Sequence, residues 1–389
     1  MNIIIIANAQ TRGDALSGAD RIFIECAKRW VKKGHKIEIV TCAEGYEMCR
    51  RYDLRGVKFF IVSPQHSMPL FLLYFLRMLN GVTSVPRMKI GAERVIVYSS
   101  SDFWPDSIPA WITKTRVKRI KWIAGFYLFA AKPFGKTSLY KGARGLKGLA
   151  YYFSQFPVYL IVRKFADMVW VTSEPDRRKF VSRRISPDNV IAVRGGVDVV
   201  ASSLIPEPKT KKYDAVFIGR LHPQKGVLEL IDIWNFVVQR KKGAMLAIIG
   251  VGDLEGEVRA KINKYGLSDN ITMFGFKDGI EKLRIFKDSR VVVHPATYDS
   301  GGMAACEAMA CGLPGVSFDL PALRTYYPKG MLKTPCYDLK AFAENILRLL
   351  NDENLYSKTS KDALDWAKEW DWDKRAEELL SVVQHLFTY

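Results

Sequence analysis

No two of the six cysteines form a C-x-x-C pair; they stand at positions 26, 42, 49, 306, 311 and 336. That scatter argues against a zinc ribbon and a disulfide frame and predicts reduced thiols. Five isolated histidines supply no metal-ligand cluster. No run of about 18 or more uncharged apolar residues occurs, so no segment predicts a membrane span. Met1 to Ile6 lacks a basic flank and its apolar run is short. It predicts a buried strand and not a secretory leader. Acidic residues are missing altogether between Asp106 and Asp167, a stretch that holds twelve Lys and Arg.

What is present is a chain of 389 residues with 48% hydrophobic content. That is enough for a packed core, and the length suits two domains of ordinary size. The net charge of +19 is unevenly spread. Residues 1–200 carry 33 Lys and Arg against 15 Asp and Glu, whereas the remainder carries 26 against 25. A field of that sign attracts a polyanion, either nucleic acid or the anionic leaflet of a membrane. No helix-turn-helix, zinc-finger or RNA-binding signature accompanies it, which argues against nucleic acid.

Residues 2–7 form a continuous apolar run, the pattern of a strand buried on both faces. A helical pattern over 19–33 ends at Gly34, and 36–41 reads as a second strand, completing a β-α-β unit. Further short strands are predicted at 57–62, 94–98, 120–123, 168–172 and 190–193. The polar segment 206–212 reads as a linker. The alternation then restarts, with strands at 214–218, 244–249, 271–274, 291–294 and 315–318. Helices are predicted at 226–239, 254–265, 280–287, 303–311, 339–350, 354–366 and 374–387. Two such halves predict two parallel sheets covered by helices, with a ligand cleft at the carboxyl ends of the strands.

The most informative stretch runs from His294 to Pro314. A strand ends at His294, small residues follow, and a helix begins near Gly302. Gly312 closes that helix in the left-handed conformation and Pro314 stops it. Such a turn offers free backbone N–H groups at the positive end of a helix dipole, which is an anion site. Asp299 precedes the helix and Glu307 lies on it. Ionised carboxylates accept hydrogen bonds, so the pair suits sugar and ribose hydroxyls. On spacing alone, a plain strand-to-helix turn with a solvated Glu307 fits equally well. The second stretch is Phe217 to Gly226. There Arg220 can grip phosphate oxygens through its planar fork, and Lys225 adds a point charge. Together they suit a diphosphate leaving group, although alone they also read as a basic surface turn. Asp371-Trp372-Asp373 has the form of a D-x-D metal motif, but it opens the last helix, where Asp is a favoured cap. His222 and His294 read as structural.

Taken together, these stretches resemble the retaining family 4 glycosyltransferases of GT-B architecture. That family joins a G-R-x-x-x-x-K-G turn to an E-x7-E segment ending in E-A-M-A-C-G-x-P. Gly219-Arg220 to Lys225-Gly226 matches the first; Asp299 to Glu307, then Ala308 to Pro314, matches the second. Weaker matches are Ser17 to Arg21 with G-G-x-E-R, Lys33 to Ile37 with a helix-to-strand turn, and Arg194 to Asp198 with P-N-G-V-D. Trp372-Asp373 is similar to the S/T-W-D start of the family's last helix. The resemblance implies an α/β fold of two Rossmann-like, doubly wound parallel-sheet domains facing across a cleft. The acceptor-binding domain would cover 1–205, with the final helix, about 374–389, packed back on it. The donor-binding domain would cover 213–370. Arg220 and Lys225 would hold the donor phosphates, on the turn that Gly219 opens. Glu307 would accept both ribose hydroxyls. Asp299, Ser300 and the backbone at Gly301, Gly302 and Met303 would bind the transferred sugar. Phe276 would lie beside the base, and Gly18 would let a first-domain loop approach the sugar and phosphates. The implied donor is a UDP- or GDP-sugar, with no metal and no cofactor, because the basic pair replaces the metal.

Two departures stand out. The family's first motif Glu is Asp299 here, a carboxylate one methylene further back. The family's first-domain His, as in G-T-F-H, corresponds to Tyr127 in Ala124-Gly125-Phe126-Tyr127. A tyrosine hydroxyl donates a hydrogen bond but is a poor proton shuttle near neutral pH. In the family the leaving phosphate is thought to help remove the acceptor proton. The acceptor is expected on the first domain, where Lys114, Arg116, Lys118, Arg119 and Lys121 cluster. Lys132, Lys136, Lys141, Arg144 and Lys147 follow, interleaved with Phe129, Phe134, Leu139, Tyr140 and Leu146. Such a mixture suits an anionic bilayer, as do the apolar patches 69–79 and 148–162 if they are not core helices. These features predict a cytoplasmic enzyme, peripheral on the inner face of the membrane, acting on a lipid-linked glycan or glycolipid. The rivals are an inverting transferase or epimerase of the same fold, and a nucleotide-sugar-binding protein without turnover.

Overall fold

The computed structural model describes residues 1–11, 16–63, 68–85, 94–133 and 144–387, apart from the side chains of Ser63, Arg144 and Lys147. The expected basic and aromatic positions Phe134, Lys136, Leu139, Tyr140 and Lys141 lie outside the described residues. The chain divides into two compact units, one of Met1–Gly195 with Trp372–Tyr389 and one of Gly196–Asp371. Segment 206–212 falls inside the second unit.

The first unit contains β1 (Asn2–Ala7), α1 (Gly18–Lys32), β2 (Lys36–Cys42), α2 (Ala43–Arg51), β3 (Lys58–Ser63), α3 (Leu70–Ser84), β4 (Val95–Ser99) and α4 (Trp104–Arg116). It continues with β5 (Lys121–Gly125), α5 (Arg144–Phe165), β6 (Met168–Val171), α6 (Glu174–Phe180) and β7 (Val190–Ala192). The sheet order is β3-β2-β1-β4-β5-β6-β7. Each pairing is parallel. Every residue of β1 is buried, as its unbroken apolar run predicts for a central parallel strand. Gly81 lets α3 approach α4, since a Cβ there would lie 2.8 Å from the Pro109 ring.

The second unit contains α7 (Val199–Leu204), β8 (Tyr213–Ile218), α8 (Val227–Arg240), β9 (Leu246–Ile249), α9 (Glu255–Lys264), β10 (Ile271–Gly275), α10 (Gly279–Lys287) and β11 (Ser289–His294). It continues with α11 (Met303–Ala310), β12 (Gly315–Phe318), α12 (Pro321–Tyr326), β13 (Met331–Thr334), α13 (Leu339–Asn351) and α14 (Glu353–Lys368). The order β10-β9-β8-β11-β12-β13 again makes a parallel sheet, with β8 and β11 side by side at the point where the winding reverses. β13 has no counterpart in the sequence expectations. The last helix, α15 (Trp372–His385), belongs to the first unit and packs on α1. Trp30 Nε1 donates to the Ala376 carbonyl at 2.9 Å, and Lys33 pairs with Glu377 at 2.8 Å.

Apolar patch 69–79 falls on α3, where Leu73 is buried but most of the apolar side chains are not core. Leu70, Phe71, Leu72, Phe75, Leu76 and Leu79 are exposed, Phe71 most of all at 69%. Patch 148–162 lies within α5 and is divided: Val158 and Val162 are buried, whereas Phe153, Phe156 and Leu160 are exposed. No helix among the described residues is long and apolar enough to cross a membrane.

Candidate functional site

In an open parallel sheet, ligands bind beyond the carboxyl ends of the strands where the winding reverses. In the second unit that point lies between β8 and β11, and the two sequence stretches follow those strands. Their loops are bonded to each other. Thr297 and Tyr298 donate backbone N–H groups to the Gln224 carbonyl at 3.0 and 3.3 Å. Gly226 seals the contact: its φ is +63°, and a Cβ there would lie 1.8 Å from the Pro295 carbonyl oxygen. The neighbouring strand ends close in the same way. Gly219 donates to the Ile249 carbonyl at 3.1 Å and Gly250 to the Gly275 carbonyl at 2.8 Å. A Cβ on Gly250 would meet the Gly219 carbonyl oxygen at 1.9 Å. Glycines thus pack the loops after β8, β9 and β10 into one floor.

Lys225 and Asp299 form an ion pair across this junction, with Nζ 2.6 Å from Oδ2. The same oxygen is 3.3 Å from His294 Nε2. Oδ1 accepts the N–H groups of Ser300 and Gly301 at 2.9 and 3.2 Å. Burial pushes the Asp299 pKa up, but the charge of Lys225 and the bond to His294 outweigh it, and the carboxyl titrates well below its ordinary range. Burial holds His294 below its own ordinary value, against the pull of Asp299. A neutral His294 with its proton on Nε2 therefore donates to Asp299. Asp299 is thus a fixed anion that also folds its own loop, and its short side chain suits that local turn. The Ser300 and Gly301 N–H groups are engaged by this carboxylate. Arg220 is exposed.

Gly302 caps α11 at φ +71°. A Cβ there would meet Leu323, His294 and Tyr327 at about 3 Å, so the turn accepts only glycine without displacement. Gly301 is pressed against the Tyr326 ring. Met303 opens α11, and Gly312 stands beyond its end at φ +84°. Glu307 projects from α11 half-buried, and its Oε2 lies 2.9 Å from Lys282 Nζ. The same ammonium is 2.7 Å from Asp278 Oδ1. Phe276 follows β10 and is 37% exposed. The structure therefore gathers Gly219, Arg220, Lys225, Phe276, Asp299, Ser300, Gly301, Gly302, Met303 and Glu307 on loops and a helix at the strand ends of one unit.

Gly18 and Tyr127 belong to the first unit. Gly18 is exposed at the start of α1, behind an N-cap from Ser17. Tyr127 is buried, and its hydroxyl meets that of Tyr98 at 2.5 Å. At the winding reversal of this sheet, between β1 and β4, Asp106 accepts from Asn8 N at 2.6 Å and from the Ser100 and Ser101 hydroxyls at 3.1 and 2.5 Å. Burial pushes its pKa up to about 7 despite those bonds.

Two participants escaped sequence reasoning. Lys282 looks like an ordinary lysine spaced i,i+4 from Asp278; its contact with Glu307 exists only through tertiary packing. His294 read as structural, and it is, but it also positions Asp299.

Residues 204–366 match the family described as "Glycosyl transferases group 1". An uncharacterized glycosyltransferase of Methanocaldococcus jannaschii is 28% identical over 173 residues, 43% of each chain. Phosphatidyl-myo-inositol mannosyltransferase of Mycobacterium leprae is 27% identical over 208 residues, 51% of this chain and 54% of that one. The chain thus spans about half the length of these curated relatives. Anabaena HepE, solved with UDP and glucose, superposes with a TM-score of 0.74 at 15% identity over 98% of this chain and 99% of that one. Residues 204–366 are thus similar to the group 1 glycosyl transferases, and the chain has the GT-B fold.

Proposed function

We propose that this chain is a retaining, metal-independent glycosyltransferase of family 4 that moves a sugar from a nucleotide diphosphate sugar to a hydroxyl acceptor. The observation that carries the reading is the junction at the strand ends. A basic turn bearing Arg220 and Lys225 is fixed against a loop and helix bearing Asp299 and Glu307. Arg220 and Lys225 meet the negative charge that develops on the leaving diphosphate. Lys225 has three donors and Asp299 uses one, so two remain for phosphate oxygens. The backbone at Gly302 and Met303, at the head of α11, faces the same charge. Glu307 receives ribose hydroxyls, and Phe276 lies against the base. In the transfer, the bond from the anomeric carbon to the phosphate oxygen breaks. A bond to the acceptor oxygen forms on the same face, and the acceptor proton passes to the leaving phosphate. The relative that acts on phosphatidyl-myo-inositol, by name, and HepE with UDP and glucose support a nucleotide donor and a lipid-linked acceptor.

The acceptor side rests on the first unit. Residues 54–166 contain eighteen Lys and Arg and only three acidic residues. Two of those three, Asp102 and Asp106, are buried. Beside this field stands the exposed apolar side of α3. The combination fits an anionic bilayer and a peripheral enzyme on the inner face of the membrane. A transfer assay with UDP- and GDP-sugars and a lipid extract tests the reaction, with the anomeric configuration read by NMR. Retained configuration is expected. An inverted product overturns the retaining mechanism, and absence of both transfer and donor hydrolysis leaves a binding protein without turnover.

A further inference from the structure

We propose that Lys282 is a positioning residue for the nucleoside half of the donor, and that it acts by holding Glu307 in place for the ribose. The proposal rests on the donor reading above. Lys282 sits on α10 with its side chain only 9% exposed, between two carboxylates. Its Nζ lies 2.9 Å from Glu307 Oε2 and 2.7 Å from Asp278 Oδ1. Burial alone would lower the pKa of this ammonium; Glu307 and Asp278 reverse that, and it is raised. The charge is therefore constant across the working range of the protein.

The two carboxylates belong to different parts of the pocket. Asp278 lies in the turn after β10, two residues beyond Phe276. Glu307 lies on α11, which follows β11. In the sheet, β10 and β11 are separated by β9 and β8. One buried ammonium thus ties the turn beside the base to the helix beneath the ribose. It also divides the oxygens of Glu307: Oε2 is taken, and Oε1 is left to accept from the sugar ring of the nucleoside. Without Lys282, Glu307 regains rotamers that a ligand must freeze again, and Asp278 faces it as a like charge. An ion pair this close and this well shielded from water is strong, so with Lys282 fixed by its hydrogen bond to Asp278 the bridge restricts where the acceptor oxygen stands.

The test uses UDP, GDP and ADP, each beside its 2′,3′-dideoxy counterpart, titrated calorimetrically into the full-length wild type, K282M, K282R and D278N. For whichever nucleoside diphosphate the wild type binds, K282M weakens the ribose form about tenfold or more and the dideoxy form less than twofold. K282R restores most of the affinity. D278N, which cuts the other end of the bridge at a half-buried turn, gives a loss of about threefold or more, again confined to the ribose form. It keeps the proposal testable should K282M not fold. An equal loss for both forms in a folded variant shows a merely structural role and overturns the proposal. So does unchanged affinity for the ribose form in K282M or D278N. A wild type that binds none of the three nucleoside diphosphates overturns the donor reading itself, a result distinct from these.

Discussion

Replacing Lys225 by Met strips a buried carboxylate of its counter-charge. Breaking a buried pair from one side costs about 3–5 kcal/mol. Here the Lys225 side chain keeps 21% of its surface in water, and Asp299 retains His294 and two backbone N–H groups. Those remaining partners and the solvent screening reduce the expected cost to about 2–3 kcal/mol at pH 7. The pH dependence gives the argument its sign. The folded pKa of Asp299 is depressed, so its contribution is present above the ordinary carboxylate value and is lost as pH falls through the folded one. In K225M the largest lowering influence is gone and burial acts with less opposition, so the carboxyl takes up a proton at a higher pH. That proton relieves the variant and not the wild type. The gap between the two, read from urea midpoints by circular dichroism, is therefore widest near pH 7 and narrows towards pH 4.5. The double variant K225M/D299N lies closer to the wild type than K225M does, because no bare carboxylate remains. A gap that stays constant with pH, or a double variant no more stable than K225M, refutes the reasoning.

Three further outcomes follow from the structure. G226A forces a Cβ against the Pro295 carbonyl at a left-handed position, so it lowers stability by at least about 2 kcal/mol in thermal melts and weakens nucleotide binding; an unchanged melting temperature contradicts the packing described. Asp106 has its pKa raised to about 7 by burial, so its contribution to stability is full below the unfolded value and declines as pH rises through about 7. D106N removes that decline, so between pH 5 and pH 8 the wild type loses stability relative to D106N by an amount on the order of a few kcal/mol, and a constant difference is the contrary result. F71S/F75S reduces co-flotation with anionic vesicles at low salt several-fold without changing donor affinity; equal flotation, or none by the wild type, removes the bilayer from the account.

Legibility in the sequence followed the range of the forces involved. The central strands of both sheets read as unbroken apolar runs because parallel strands are covered on both faces. β13 did not, since Met331-Leu332-Lys333-Thr334 carries a lysine whose ammonium is satisfied by the Ser317 hydroxyl at 3.0 Å and the Leu323 carbonyl at 3.3 Å. Only the finished sheet supplies those partners. The turn at Gly312 was visible because left-handed backbone is a local demand, whereas Gly226 read as the first residue of a helix and its positive φ emerged only with the contact to Pro295. The pairing of Lys225 with Asp299 spans 74 residues and comes from the adjacency of β8 and β11. Spacing placed both residues in loops after strands of one sheet but gave no hint that they neutralise each other. The α3 run allowed either core or surface; packing of α3 on α4 left its apolar side uncovered.

The central claim is that the strand-end junction of the second unit is a nucleotide-sugar site built on Lys225, Asp299 and Glu307. Isothermal titration of UDP-, GDP- and ADP-sugars into the wild type and E307A tests it most directly. One nucleotide class binds the wild type, and E307A loses about a hundredfold or more of that affinity, as removal of a charged acceptor from two ribose hydroxyls requires. No heat with any of the donors, or equal binding by E307A, contradicts it.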